Sequence, residues 1–133
     1  MNTTALRYSV VVPLYDEEEN VEPLTEALVK VMDGLGGPYE LLYVDDGSRD
    51  ATLERARTLA DLYPPLRVVA LARNYGQTAA LAAGFDHCRG EIIITLDGDL
   101  QNDPEDIPCL LRQLEEGYDL VVGWRQNRQE PFL

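Results

Sequence analysis

The chain has 133 residues, 45% hydrophobic and 26% charged, which suits one globular domain with a buried core and leaves no room for a second. Eleven basic against 24 acidic residues give a formal charge of −13, which repels a polyphosphate backbone and argues against nucleic-acid binding. No apolar run nears the ~20 residues of a membrane span, and no basic segment followed by an apolar one marks a secretory signal. Cys88 and Cys109 show no Cys-x-x-Cys spacing and read as reduced packing residues of a cytoplasmic protein.

Five short apolar or β-branched runs are expected as strands, at residues 8–12, 40–44, 66–70, 91–96 and 119–123. After the first, Val21, Leu24, Leu28 and Val31 recur at steps of three, four and three, the stripe of a helix lying on a sheet. Residues 34–38 read as the turn into the second strand. After Asp50, Leu53, Ala56, Ala60 and Leu62 mark a second helix, and the alanine-rich stretch 77–88 a third. A fourth opens with Asp103 as N-cap and Pro104 at its first position, with Glu105 and Asp106 at the positive end of its dipole. Strand-helix alternation of this kind predicts right-handed βαβ crossovers, a mostly parallel sheet and a Rossmann-like, doubly wound α/β fold of about five βα units.

Ligands of open parallel sheets bind outside the carboxyl ends of the strands, and four of the five strand ends here are unusual. Strand one runs into Pro13-Leu14-Tyr15-Asp16-Glu17-Glu18-Glu19-Asn20 and strand two into Asp45-Asp46-Gly47-Ser48-Arg49-Asp50. Strand three is followed by Arg73-Asn74-Tyr75-Gly76 and strand four by Asp97-Gly98-Asp99-Leu100-Gln101. Asp16, Glu18 and Glu19 also suit the start of a helix, and Asp46, Ser48 and Asp50 fit turn and cap roles. Asp45, directly at a strand end, is expected to turn its carboxylate to the crevice.

Asp97 and Asp99, one small residue apart after a buried strand, can approach one hard cation from the same side, and Gly98 lets a ligand near the backbone. Gln101 adds a neutral oxygen. Mg²⁺ or Mn²⁺ prefers such ligands and completes its shell with phosphates and waters, which reconciles an acidic chain with a phosphorylated ligand. A dinucleotide oxidoreductase and a P-loop NTPase are disfavoured, because neither Gly-x-Gly-x-x-Gly nor Gly-x-x-x-x-Gly-Lys-[Ser/Thr] is present. A phospho-receiver module would need an aspartate ending strand three and a lysine ending strand five, where this chain has Leu71-Ala72-Arg73 and Gly123-Trp124-Arg125.

Taken together, and in order along nearly the whole chain, these segments resemble the family 2 glycosyltransferases of GT-A fold. The resemblance is to the branch that moves sugars onto polyisoprenyl phosphates, which includes dolichol-phosphate mannosyltransferases and undecaprenyl-phosphate sugar transferases. It rests on Val11 to Asn20, Val44-Asp45-Asp46-Gly47-Ser48-Arg49-Asp50-Ala51-Thr52, Arg73-Asn74-Tyr75-Gly76-Gln77, Leu96-Asp97-Gly98-Asp99-Leu100-Gln101 and Val121-Val122-Gly123-Trp124-Arg125.

The resemblance implies that Pro13, Tyr15, Glu17 and Asp45 line the base and ribose pocket of a UDP- or GDP-linked sugar. It makes Asp97, Asp99 and Gln101 the ligands of a Mg²⁺ or Mn²⁺ beside the donor diphosphate. Arg73, Gly76 and Gly98 fall at the donor site, and Asp97, Asp99 and Arg125 carry the chemistry. Transfer is expected to invert the anomeric centre at the cytoplasmic face of a membrane. The lone His87 is structural. The resembled domains continue past the equivalent of residue 133 into an acceptor-side half, so residues 1–133 are expected to form the donor-binding part, with donor binding lacking transfer as the alternative. Uncovered sheet edges would favour self-association into a homo-oligomer.

Overall fold

A computed structural model describes residues 5–98 and 103–115. Among these, four strands form one parallel sheet in the order β3-β2-β1-β4: β1 (Tyr8–Leu14), β2 (Tyr39–Asp45), β3 (Leu66–Ala70) and β4 (Ile92–Thr95). Helices α1 (Val21–Leu35), α2 (Thr52–Leu62), α3 (Gln77–His87) and α4 (Ile107–Glu115) connect or follow them. The expected fifth strand lies outside the described residues.

Alternation along the strands sends side chains to two buried faces, the mark of a sheet covered on both sides. Val10, Val12, Leu14, Leu41 and Tyr43 join Val21, Leu24, Leu28 and Met32 of α1, Ala56 and Leu59 of α2, and Ile107 and Leu111 of α4 in one core. On the other face, Val11 and Val44 meet α3 at Gly84. Helix α1 buries Thr25 and Met32 in place of the expected Val31, which is half-buried. The Thr25 hydroxyl is satisfied by Val21 O at 2.7 Å and the Tyr43 hydroxyl at 2.6 Å, so a polar residue can sit in that core. In α2 the buried apolar positions are Ala56 and Leu59, while Leu62, expected to face inward, is exposed at the last turn.

Strand β1 runs two residues further than its sequence pattern, through Pro13 and Leu14. Leu96 N–H bonds to Val11 O, so odd-numbered residues of β1 face β4, whose pairing ends at Val11 with Thr95. Pro13 comes after that last pair, and its missing N–H costs no ladder bond. At the opposite end of the sheet, Glu40 is buried and fully bonded. It accepts from Ser9 Oγ at 2.6 Å, from Arg67 Nη2 at 2.6 Å and from the Arg89 N–H at 2.6 Å, and Gly90 N–H donates to Ser9 Oγ at 2.7 Å. Burial alone would raise the Glu40 carboxyl, but the hydrogen bonds from Ser9, Arg67 and Arg89 and the Arg67 charge together hold it below the usual carboxylate range.

Candidate functional site

Strands β2 and β3 run to one side of β1 and β4 lies on the other, so the strand order reverses between β1 and β4. An open crevice of about 410 Å³ lies at the carboxyl ends of those two strands, where α/β sheets of this order bind ligands. It is lined by Pro13, Leu14, Tyr15 and Glu17 from β1 and the loop after it, by Asp46, and by Asn74, Gly76 and Gln77 at the start of α3. Asp97 and Gly98 follow β4 and complete the lining.

The loop after β1 is held by the loop after β2. Asp16 takes a left-handed φ of 53°, rare outside glycine but accessible to aspartate, and its Oδ1 accepts from Arg49 N–H at 2.8 Å. Its own N–H donates to Ser48 Oγ at 3.0 Å, and Glu17 N–H donates to Thr52 Oγ1 at 2.7 Å. Asp50 accepts from the Thr52 hydroxyl, from Thr52 N–H at 2.9 Å and from Glu18 N–H at 3.4 Å. Burial raises its carboxyl somewhat, but these bonds outweigh it and leave the group below its ordinary value. Arg49 lies 5.9 Å over the Tyr15 ring and so braces the rim of the crevice.

Asp46 closes the other side. It is 3% exposed, and its carboxylate accepts from Tyr75 N–H at 2.8 Å, Gly76 N–H at 3.0 Å and Asn74 Nδ2 at 3.1 Å. This is not a local turn, as its sequence neighbourhood suggests, but a clamp on a loop some 30 residues away. Gly47 allows the clamp to close: at φ 69° it passes so near the backbone of Arg73 and Asn74 that a Cβ would collide with both. Beyond the clamp, Gln77 Nε2 donates to Asp97 Oδ1 at 3.1 Å.

Of the residues expected at the site, the fold brings Pro13, Tyr15, Glu17, Gly76, Asp97 and Gly98 to the crevice. Asp45 does not line it: this residue is 2% exposed, its Oδ2 accepts from Ser48 N–H at 3.1 Å, and its Oδ1 is buried without a hydrogen bond among the described residues. The reason is parity. Asp45 follows Leu41 and Tyr43 onto the α1–α2 face of β2, and the next residue, Asp46, is the one that reaches the crevice. Arg73 is also absent from the lining and stacks 5.1 Å over the Tyr75 ring. The His87 ring makes an Nδ1 contact to Ala83 O at 2.8 Å on its own helix, and its carbonyl accepts from Arg67 Nη2 at 2.8 Å. Asp99, Gln101 and Arg125 lie outside the described residues. Leu14, Asp46, Asn74 and Gln77 also line the crevice without being singled out by the strand-end pattern; their signal is the loop pairing, which local pattern does not carry.

A family model described as glycosyl transferase family 2 matches residues 9–132. The chain belongs to this family. Among its relatives, the dodecaprenyl-phosphate galacturonate synthase of Rhizobium johnstonii is 50% identical over 128 residues, covering 95% of this chain and 38% of that protein. The undecaprenyl-phosphate 4-deoxy-4-formamido-L-arabinose transferase of Edwardsiella ictaluri is 47% identical over 127 residues, covering 94% of this chain and 39% of that protein. The chain thus spans about two fifths of the length of these curated relatives.

Solved structures agree on a GT-A fold. The mannosyltransferase PcManGT from Pyrobaculum calidifontis, in complex with GDP-Man and Mn²⁺, matches with a TM-score of 0.70 at 25% identity, covering 90% of this chain and 35% of that one. Glucosyl-3-phosphoglycerate synthase from Mycobacterium tuberculosis, in complex with UDP, matches with a TM-score of 0.67 at 29% identity, covering 84% of this chain and 41% of that one. The strand order 3-2-1-4 is the Rossmann order and not that of a receiver module, in which β1 would lie between β2 and β3.

Proposed function

We propose that this chain carries the donor site of an inverting glycosyltransferase, which moves a sugar from a nucleotide-linked donor to a polyisoprenyl phosphate at the cytoplasmic face of a membrane. One observation carries the reading: residues from three separate loops, Tyr15 and Glu17, Gly76, and Asp97 with Gly98, meet in one crevice where the strand order reverses. Two relatives named for polyprenyl-phosphate acceptors support the acceptor class.

The electrostatics of the crevice support a divalent cation. Its described lining holds the carboxylates of Glu17, Asp46 and Asp97 and no lysine or arginine, so a diphosphate entering alone would meet only repulsion from charged groups. Asp97, Asp99 and Gln101 are the proposed ligands, and Mg²⁺ and Mn²⁺ both fit oxygen donors. When bound, the cation would neutralise charge on the departing nucleoside diphosphate.

The chain's own residues do the rest. The Tyr15 ring, 37% exposed at the rim, offers a stacking face for the base, and Glu17 offers acceptors for ribose hydroxyls. Asp45, beneath them, supports the loop through Ser48. Gly76, whose N–H is donated to Asp46, lets a diphosphate approach the start of α3 closely. Arg125 is assigned to phosphate charge.

In the transfer, an acceptor phosphate oxygen bonds to the anomeric carbon as the bond to the diphosphate oxygen breaks, and the leaving group departs with the electron pair. A phosphate with a second pKa of about 6 is already ionised at neutral pH, so no protein base is needed. Donor binding is the part of this reaction that the described residues supply. UDP and GDP titrated into the protein should bind more tightly with Mn²⁺ than with chelator, and Asp99→Ala should abolish the difference. Binding that ignores both the metal and this substitution would refute the assignment.

A further inference from the structure

Three successive N–H groups of the loop after β1 are taken by side chains that follow β2. Asp16 N–H donates to Ser48 Oγ at 3.0 Å, Glu17 N–H to Thr52 Oγ1 at 2.7 Å and Glu18 N–H to Asp50 Oδ2 at 3.4 Å. The middle bond is the shortest of the three, and its acceptor belongs to a fully buried residue. Chemistry fixes its direction. A backbone amide can only donate and a carboxylate can only accept, so the Thr52 hydroxyl receives from Glu17 and gives its one proton to Asp50 Oδ1. Glu17 is gripped from its other side as well, since its carbonyl accepts from Asn20 N–H at 2.9 Å and Val21 N–H at 3.1 Å, at the start of α1. The backbone of Glu17 thus bridges the first turns of α1 and α2.

We infer that Thr52 is a positioning residue for the nucleotide donor: its buried hydroxyl, linked to Asp50, holds the Glu17 backbone where Tyr15 and Glu17 line the crevice. The inference rests on the donor-site reading above. Helix α2 does not itself need this hydroxyl. The Thr52 N–H, which a helix start leaves orphaned, is already accepted by Asp50 Oδ1 at 2.9 Å, and a valine would fill the same buried space. What a valine would remove is the partner of the part-buried Glu17 N–H, and with it one tie between the two loops.

The test titrates UDP and GDP into the full chain, with Mn²⁺ in fixed excess, at a temperature well below unfolding. For whichever nucleotide binds wild type, Thr52→Val should raise Kd about tenfold, the worth of one hydrogen bond. Thr52→Ser keeps the hydroxyl and should bind within about twofold of wild type. Glu40→Gln, which loosens the opposite end of the sheet, should keep the wild-type Kd. Thr52→Val binding like wild type, while Tyr15→Ala or Glu17→Ala weakens binding, overturns the positioning role and leaves the donor site standing. An equal loss in Thr52→Ser overturns it too, because the requirement is then not the hydroxyl, and an equal loss in Glu40→Gln makes the effect one of general stability. Should Thr52→Val not fold, Thr52→Ala is read in the same way. If neither nucleotide binds wild type, or if Tyr15→Ala and Glu17→Ala both bind as tightly as wild type, the donor site is misplaced and both readings fall.

Discussion

Gly98 shows how little space the crevice floor leaves. A Cβ at this position would lie 2.5 Å from Leu14 Cδ2 and 3.2 Å from the backbone oxygen of Pro13, so the buried Leu14 side chain would have to shift. Overpacking of this kind costs about 1–3 kcal/mol and displaces neighbours. Gly98→Ala should therefore lower stability in urea denaturation by an amount in that range and weaken nucleotide binding, because the displaced atoms are those of the crevice itself. A stability equal to wild type would show that the floor yields more readily than its packing implies. At the same scale, Asp45 and Asp46 are adjacent carboxylates with opposite fates, one turned into the α1–α2 side and one to the crevice, because successive residues of a strand alternate faces.

Among the elements, the ties between strands at the end remote from the crevice centre on Glu40, which joins β1, β2, β3 and the segment leading into β4. Glu40→Gln should cost about 2 kcal/mol, since it weakens a buried pair with Arg67 and leaves donors poorly matched. The folded-state carboxyl titrates below its unfolded value of about 4.3, so its contribution is complete above that value and is lost as pH falls through the folded pKa. The stability gap between wild type and variant, measured by denaturation, should accordingly be constant at neutral pH and close below about pH 4.

Element identity was legible because hydrophobic period differs between strand and helix, and the Asp103 cap was legible because it is local: its Oδ1 accepts from Glu105 N–H at 2.9 Å, as the residue types imply. The first turn that it caps is 3₁₀, at Pro104–Asp106, and α4 follows. What local pattern could not carry were partnerships across distance. Thr25 is buried because Tyr43 is there to meet it, and Asp46 is a clamp because a loop 30 residues on brings N–H groups to it. Pro13, Tyr15, Glu17, Gly76, Asp97 and Gly98 reach the crevice because strand ends converge in any open parallel sheet; Asp45 and Arg73 lie off it, because side-chain direction at a strand end depends on register and loop path.

For the molecule as a whole, strand-helix alternation dictates a parallel sheet, but the order 3-2-1-4 follows only from which face each helix covers: α1 and α2 on one, α3 on the other. That switch of faces opens the crevice between β1 and β4. The Ser9–Glu40–Arg67 tie at the other end gives the sheet a stiff base, whereas at the mouth the α3 loop is held chiefly by the Asp46 carboxylate. Slow opening motions should then run as a gradient along the strands. Amide hydrogen exchange would display it: Arg89 and Gly90, though in a loop, should be protected almost as well as strand amides, because their N–H groups are donated to Glu40 and Ser9. Tyr75 and Gly76, held by one carboxylate at the mouth, should exchange faster and slow down on loading with Mn²⁺ and nucleotide. Equal rates at both ends would mean that the sheet breathes as one unit. A gradient would mean that binding a donor closes the half of the molecule that folding leaves loose.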